Sequence, residues 1–247
     1  MKARVQGDDI MEWMVCIKGD DFDLQELSKS LTSPELCLIS EDNEYYLKST
    51  NFNQLKSTDE VRHKAEEILS LINGASKLVL GTRKPLTMGV ALKIKDDGGR
   101  EGFVFVSETL TLRETFGVVK ILQDGTIQEV HQADPIPDWI KVAQGDENVA
   151  KVLRLLGNVG YDWVNLYRIY EVMEEDVGGI SKITQEGWAT ETAIRRFKHT
   201  GNSVGAIGDE ARHGIETTQP PKNPMTFSEA KSLIETIVHN WLRSKVS

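Results

Sequence analysis

The apolar positions of this chain switch between a two-residue and a helical period, and the switches mark out its elements. In residues 11–18, MEWMVCIK, Trp13, Val15 and Ile17 alternate with Glu12, Cys16 and Lys18, the pattern of a strand with one buried face. A short helix is expected around Leu24 to Leu31. LCLISE and EYYLKS follow as extended runs separated only by Asp42 and Asn43, the spacing of a hairpin. Ser57 and Glu60 then form a capping box, and Val61, Ala65, Ile68, Leu69 and Ile72 recur along one helical face that Asn73 and Gly74 are expected to end. From Lys77 the strand period returns in KLVLGT, GVALKIK, a DDGGR turn and GFVFVS. VVKILQ and TIQEV around Asp124-Gly125 predict a last hairpin.

Beyond residue 130 the strand signal fades. HQADPIPDWIKVAQGDEN, residues 131–148, carries Pro135 and Pro137 and reads as a boundary with a short packed helix at Trp139, Ile140 and Val142. Val149, Leu153 and Leu156 predict one helix, and Trp163, Leu166, Tyr167, Tyr170 and Met173 a longer one stopped at Val177-Gly178-Gly179. A third spans residues 190–200. The fourth begins at the capping box of Thr226 and Glu229, behind Pro220, Pro221 and Pro224, and buries Ala230, Leu233, Ile234, Ile237 and Trp241. The expected architecture is therefore α+β: an N-terminal antiparallel-sheet domain with one main helix over residues 1–130, a linker over 131–148, and an all-α bundle over 149–247. Trp163 and the two tyrosines are expected in the core of that bundle.

Composition changes this picture little. The 247 residues are 39% hydrophobic and 27% charged, ordinary for globular domains. The net charge is -9, and it is uneven: residues 1–145 hold 17 Lys/Arg against 24 Asp/Glu, and residues 146–247 hold 12 against 14. An acidic balance argues against a nonspecific nucleic-acid coat and leaves only a sited contact. Cys16 and Cys37 have neither disulfide-framework nor zinc spacing, so no metal site and no cofactor is expected. The start lacks the apolar core of a signal peptide and no run of about 18 apolar residues occurs. A soluble, cytoplasmic protein without membrane contact is the expectation.

Chemistry concentrates in residues 195–230, RRFKHTGNSVGAIGDEARHGIETTQPPKNPMTFSEA. Arg196 and Lys198 lie beside the apolar face of the helix over 190–200, and His199, Asn202, Asp209, Glu210, Arg212 and His213 sit among Gly201, Gly205, Gly208 and Gly214 between two helices. Arg offers a planar fork of donors and His can carry a proton near neutral pH, so the group suits a phosphate or ribose contact. The alternative is structural: Arg212 pairs with Asp209 or Glu210, and His213 bonds a backbone carbonyl.

LYRIYEVMEEDVGG, RRFKHTGNS, GDEARHG and PPKNPMTFSEA, followed by a Trp-containing last helix, resemble the prokaryotic HEPN-like domains over about residues 146–245. More narrowly, they resemble the ARHG-containing helical domains at the C-terminus of many uncharacterised bacterial proteins. The resemblance implies an all-α bundle that often dimerises. In active members it implies a metal-independent ribonuclease whose site forms where two protomers' motifs meet. That motif runs Arg, then Asn, Asp or His, then a few residues, then His. Arg212 and His213 match its opening, but the closing position holds Thr217, Thr218 and Gln219. His199 is the candidate to replace the missing imidazole.

Three functions follow from these residues. One is a catalytically degenerate module binding RNA, a nucleotide or a partner through Arg212, His213 and Asn202, with Arg196 and Lys198 nearby. Another is a ribonuclease of a phage-defence or toxin system, with Arg212, His213 and His199 catalytic and the N-terminal domain sensing a trigger. The third is a dimeric interaction module, a homodimer through the C-terminal domain, in which Arg212 and His213 only brace the loop.

Overall fold

The computed structural model describes residues 12–94, 100–104, 119–121, 127–129, 135–215 and 219–246. The chain divides into two compact units, Met1–Leu69 with Thr82–Pro137, and Ser70–Gly81 with Asp138–Ser247. The architecture is α+β, an antiparallel sheet followed by helices.

In the first unit the strands are β1 (Glu12–Lys18), β2 (Thr32–Ser33), β3 (Leu36–Glu41), β4 (Glu44–Ser49), β5 (Thr87–Ile94) and β6 (Arg100–Val104), in the order β2-β3-β4-β1-β5-β6. The β3–β4 hairpin closes through Asp42 and Asn43 at φ 52° and 64°, the left-handed pair that a two-residue turn requires. The first strand differs from its predicted pattern. Alternation implied one buried face, but Trp13, Met14, Val15, Cys16 and Ile17 are all buried, because β1 is central, flanked by β4 and β5, and covered on both faces. Its charged ends are neutralised across the sheet, Glu12 by Lys48 and Lys18 by Glu44. Helix α1 (Asp21–Ser30) is capped by the Asp20 carboxylate. β7 (Val119–Ile121) and β8 (Ile127–Glu129) pair antiparallel as a separate ribbon, and the expected Asp124-Gly125 turn lies outside the described residues. The DDGGR turn before Arg100 and the end of GFVFVS lie outside the described residues.

Helix α2 (Thr58–Val79) starts at its capping box, where Glu60 accepts from the Lys56 and Ser57 amides and Ser57 Oγ accepts from Glu60 N. It does not end at Gly74, and KLV of the expected KLVLGT strand is helical. Gly74 serves close packing instead: a Cβ there would lie 1.9 Å from the Leu153 carbonyl oxygen. Gly157 completes the same contact, its missing Cβ falling 2.6 Å from Ser70 O. Two glycines thus let helical backbones touch.

The second unit holds α3 (Ile136–Ala143), α4 (Glu147–Arg154) continuing into a π turn (Leu155–Val159), α5 (Trp163–Val177), α6 (Ile180–Gln185), α7 (Glu191–Gly201), α8 (Val204–Ile207) and α9 (Phe227–Val246). The four expected helices are present, with α6 and α8 as short additions. Asn165, fully buried, donates to the carbonyls of Leu155 and Gly160 and so holds the π turn. Gly178 ends α5 in the left-handed region at φ 84°, its neighbour Gly179 donating to Glu174 O at 2.7 Å. Tyr170, Phe197 and Trp241 are fully buried at the centre. Trp241 Nε1 donates to Asp176 at 2.8 Å, and Lys245 pairs with both Asp176 and Asp146, fixing the end of α9 to α5 and to the cap of α4. Among the described residues, no helix is long and apolar enough to cross a membrane.

Candidate functional site

Helix α7 starts at Thr190, whose Oγ1 accepts from Ala193 N, and buries Ile194 and Phe197 against α5. The opposite side carries the basic residues singled out by the sequence, and each has a definite partner. Arg196 makes four hydrogen bonds: Nε to Asn223 O and Nη2 to Pro224 O, both 3.0 Å, and Nη1 and Nη2 to the two Glu229 oxygens at 3.1 Å. Glu229 also accepts from Thr226 N and Oγ1. The Thr226 amide first, and the Arg196 guanidinium after it, pull the Glu229 carboxyl down to about 2. Beside this clamp, Thr200 Oγ1 donates to Arg196 O and accepts from Met225 N at 2.9 Å. The proline-rich segment is therefore tied to α7 before α9 begins.

Lys198 holds both oxygens of Glu174 at 3.0 and 3.1 Å and lies 5.3 Å from the Tyr170 ring centroid. Tyr170 donates its hydroxyl to the same carboxylate at 2.8 Å. Burial, then that bond to an anion, pushes the phenol's pKa far up. His199 is exposed, and its Nε2 donates to the Gln219 carbonyl at 2.8 Å.

Arg212 and Asn202 converge on a residue that the apolar pattern assigned to the core. Gly201 packs on Tyr167, where a Cβ would stand 3.2 Å from the ring, and the Arg212 amide donates back to Gly201 O at 2.9 Å. This fold-back sets the Arg212 guanidinium over the Tyr167 ring, 4.5 Å from its centroid. Nη2 pairs with Glu171 at 2.8 Å, not with Asp209 or Glu210. Asn202 Nδ2 donates to the Tyr167 hydroxyl at 3.0 Å, while its Oδ1 is buried with no partner. His213, next in the chain, is exposed and has no bond or ion pair among the described residues.

The six candidates thus separate into a brace around Arg196, an ion pair at Lys198, a carbonyl contact at His199, and a cluster of Arg212, Asn202, Tyr167 and Glu171 with His213 at its edge. Tyr167 and Glu171 were not among the candidates. Their spacing of four on α5 puts them on one helix face, which is the signal that could have found them. Of the positions where the motif's closing His was sought, Thr217 and Thr218 lie outside the described residues, and Gln219 contributes its carbonyl to His199. Among the described residues, no group of three or more His, Cys, Asp or Glu is placed to hold a metal ion. The chain matches no known protein family, no curated protein and no solved structure.

Proposed function

We propose that this protein is a cytoplasmic HEPN-like module without nuclease activity, whose helical unit binds RNA through the Arg212 turn. The observation that carries the reading is the Arg212 guanidinium over the Tyr167 ring, with exposed His213 beside it. A guanidinium held on an aromatic ring presents its second face to an unstacked base and its charge to phosphate. Against catalysis stands the supply of acid and base groups. His199 is engaged by Gln219, which leaves His213 as the imidazole there without a partner among the described residues. Pairing of two copies through the helical unit belongs to the same proposal, and sedimentation equilibrium checks it.

The deciding experiment incubates wild type and the Arg212→Ala/His213→Ala double variant with total RNA and tRNA in EDTA. Cleavage is read on a denaturing gel and binding by mobility shift. The expected outcome is no cleavage by either protein and a shift by wild type that the variant loses. Cleavage by wild type that vanishes in the variant would establish a metal-independent ribonuclease instead. Equal shifts by both proteins would remove the Arg212 turn from RNA contact.

A further inference from the structure

A second polar cluster in the helical unit shares no side chain with the Arg212 site. Lys77, near the end of α2, reaches over the ring of Tyr161, its Nζ 5.3 Å from the centroid. Lys231, in the second turn of α9, reaches the same ring at 4.5 Å. Gly160 makes room for the first of these, since a Cβ there would stand 3.0 Å from Lys77 Nζ. Two ammonium groups thus share one ring, and the charges around it do not balance. Glu235 accepts the Tyr161 hydroxyl at 2.6 Å and sits 3.7 Å from Lys231, whereas Lys77 has no carboxylate partner among the described residues. The excess positive charge falls on Lys77.

Lys77 is half-buried, and an ammonium in that position is unfavourable without an anion to complete it. Burial first, and the charge of Lys231 after it, lower its pKa. Desolvation and a neighbouring cation are the two devices that activate a lysine as a nucleophile, because each favours the uncharged amine with its free lone pair. The count of charges then selects the reaction. Turning Lys77 into an anion, as carbamate formation with carbon dioxide does, would leave two anions against one cation at the ring. Turning it into a neutral amide leaves Lys231 against Glu235, one of each.

We propose that Lys77 is a site of acylation by small acyl thioesters. The uncharged Nζ attacks the thioester carbonyl carbon, a C–N bond forms, the C–S bond breaks, and the thiol leaves with the proton that the nitrogen gives up. The product is a neutral amide beside the Lys231–Glu235 pair, and the end of α2 loses its uncompensated charge.

The full chain is incubated with S-acetyl-N-acetylcysteamine, a thioester that carries no nucleotide, and acetylation at each lysine is followed in time by peptide mass spectrometry. Lys18 and Lys182 are the internal comparison, since both are exposed and ion-paired, to Glu44 and Glu186. Access alone would favour them. Near neutral pH Lys77 is expected to acetylate about threefold faster or more than either, and its rate to level off at a lower pH than theirs. Lys231→Met keeps an apolar stem on the Tyr161 ring and removes the repelling charge, so it should slow Lys77 about twofold or more and leave Lys18 and Lys182 unchanged. Melting curves establish that this variant is folded. Lys77→Gln, which carries the neutral amide, is expected to melt no lower than wild type because it removes an uncompensated charge. Four outcomes overturn the proposal: Lys77 acetylating no faster than Lys18 and Lys182, a Lys77 rate that keeps rising with pH as theirs do, an unchanged Lys77 rate in folded Lys231→Met, or a Lys77→Gln melt clearly below that of wild type.

Discussion

Arg196 and Arg212 lie on either side of one glycine-rich segment and are about equally exposed, 29% and 33% at the side chain. Arg196 spends most of its fork on the protein, on two carbonyls and a carboxylate that already caps α9. Among the described residues, the Arg212 side chain has one carboxylate and one ring. Residue type, exposure and distance from a helix end are alike in the two, so none of these separates a brace from a binding group. What separates them is how many donors remain without an internal partner. The nearby histidines repeat the lesson: among the described residues, His199 is engaged by a carbonyl and His213 is not.

The brace has meaning only if α9 is itself anchored, and the largest effect is expected there. Trp241→Ala removes a fully buried side chain and its bond to Asp176, and should destabilise the helical unit by about 3 to 5 kcal/mol. Thermal or urea melts measure this. A wild-type melt would show that the end of α9 is not held as described, and the contrast between the two arginines would lose its frame.

Arg196→Ala comes next. The two lost carbonyl bonds should destabilise by about 1 to 2 kcal/mol. The ion pair to exposed Glu229 adds little, because solvent screens it. The loss should accordingly persist in molar salt, and a loss abolished by salt would make Arg196 a surface ion pair and not a brace.

The anchor of α9 is also sensitive to pH in a defined direction. Bonds from Lys245, and from the Val149 amide or from Asn148 and Trp241, hold the Asp146 and Asp176 carboxyls below their ordinary values despite partial burial. Their contribution is present above the unfolded carboxylate value of about 3.9 and is lost as pH falls through the lower folded values. Lys245 is raised by the same two carboxylates against the effect of burial. Its contribution is complete below about 10.4 and is lost as pH rises through the raised value. Asp176→Asn should therefore melt below wild type at neutral pH, and the gap should narrow in acid. A gap that stayed constant from neutral pH to pH of about 3 would mean that the charge of Asp176 is not what holds Trp241 and Lys245.

Much of this scaffold was legible because its signals are local. Asp42-Asn43 fixed a hairpin, Ser57 with Glu60 and Thr226 with Glu229 fixed two helix starts, and Gly178-Gly179 fixed a helix end. Where meaning depended on a distant neighbour, the sequence misled. Gly74 has the residue type of a helix stop, and only the Leu153 backbone against it reveals a packing glycine. The alternation in β1 could not show that a second face would be covered, because Met14 and Cys16 are buried by tertiary context. Helices α6 and α8 are too short to establish a period. The candidate site was legible as a list of side chains but not as an arrangement. The partners that sort those side chains, Tyr167, Glu171 and Glu174 on α5, lie far from them in sequence.

The smallest effect on stability is expected at the residue that most sharpens the contrast. His213 is exposed and has no partner among the described residues, so His213→Ala should change stability by no more than about 0.5 kcal/mol. A residue without an internal partner among the described residues is open to contact a ligand, and the same variant should weaken RNA binding while its melt overlays that of wild type. The opposite pairing of results, a clear loss of stability with RNA binding retained, would put His213 on the side of Arg196, and the Arg212 turn would be a second brace for the loop.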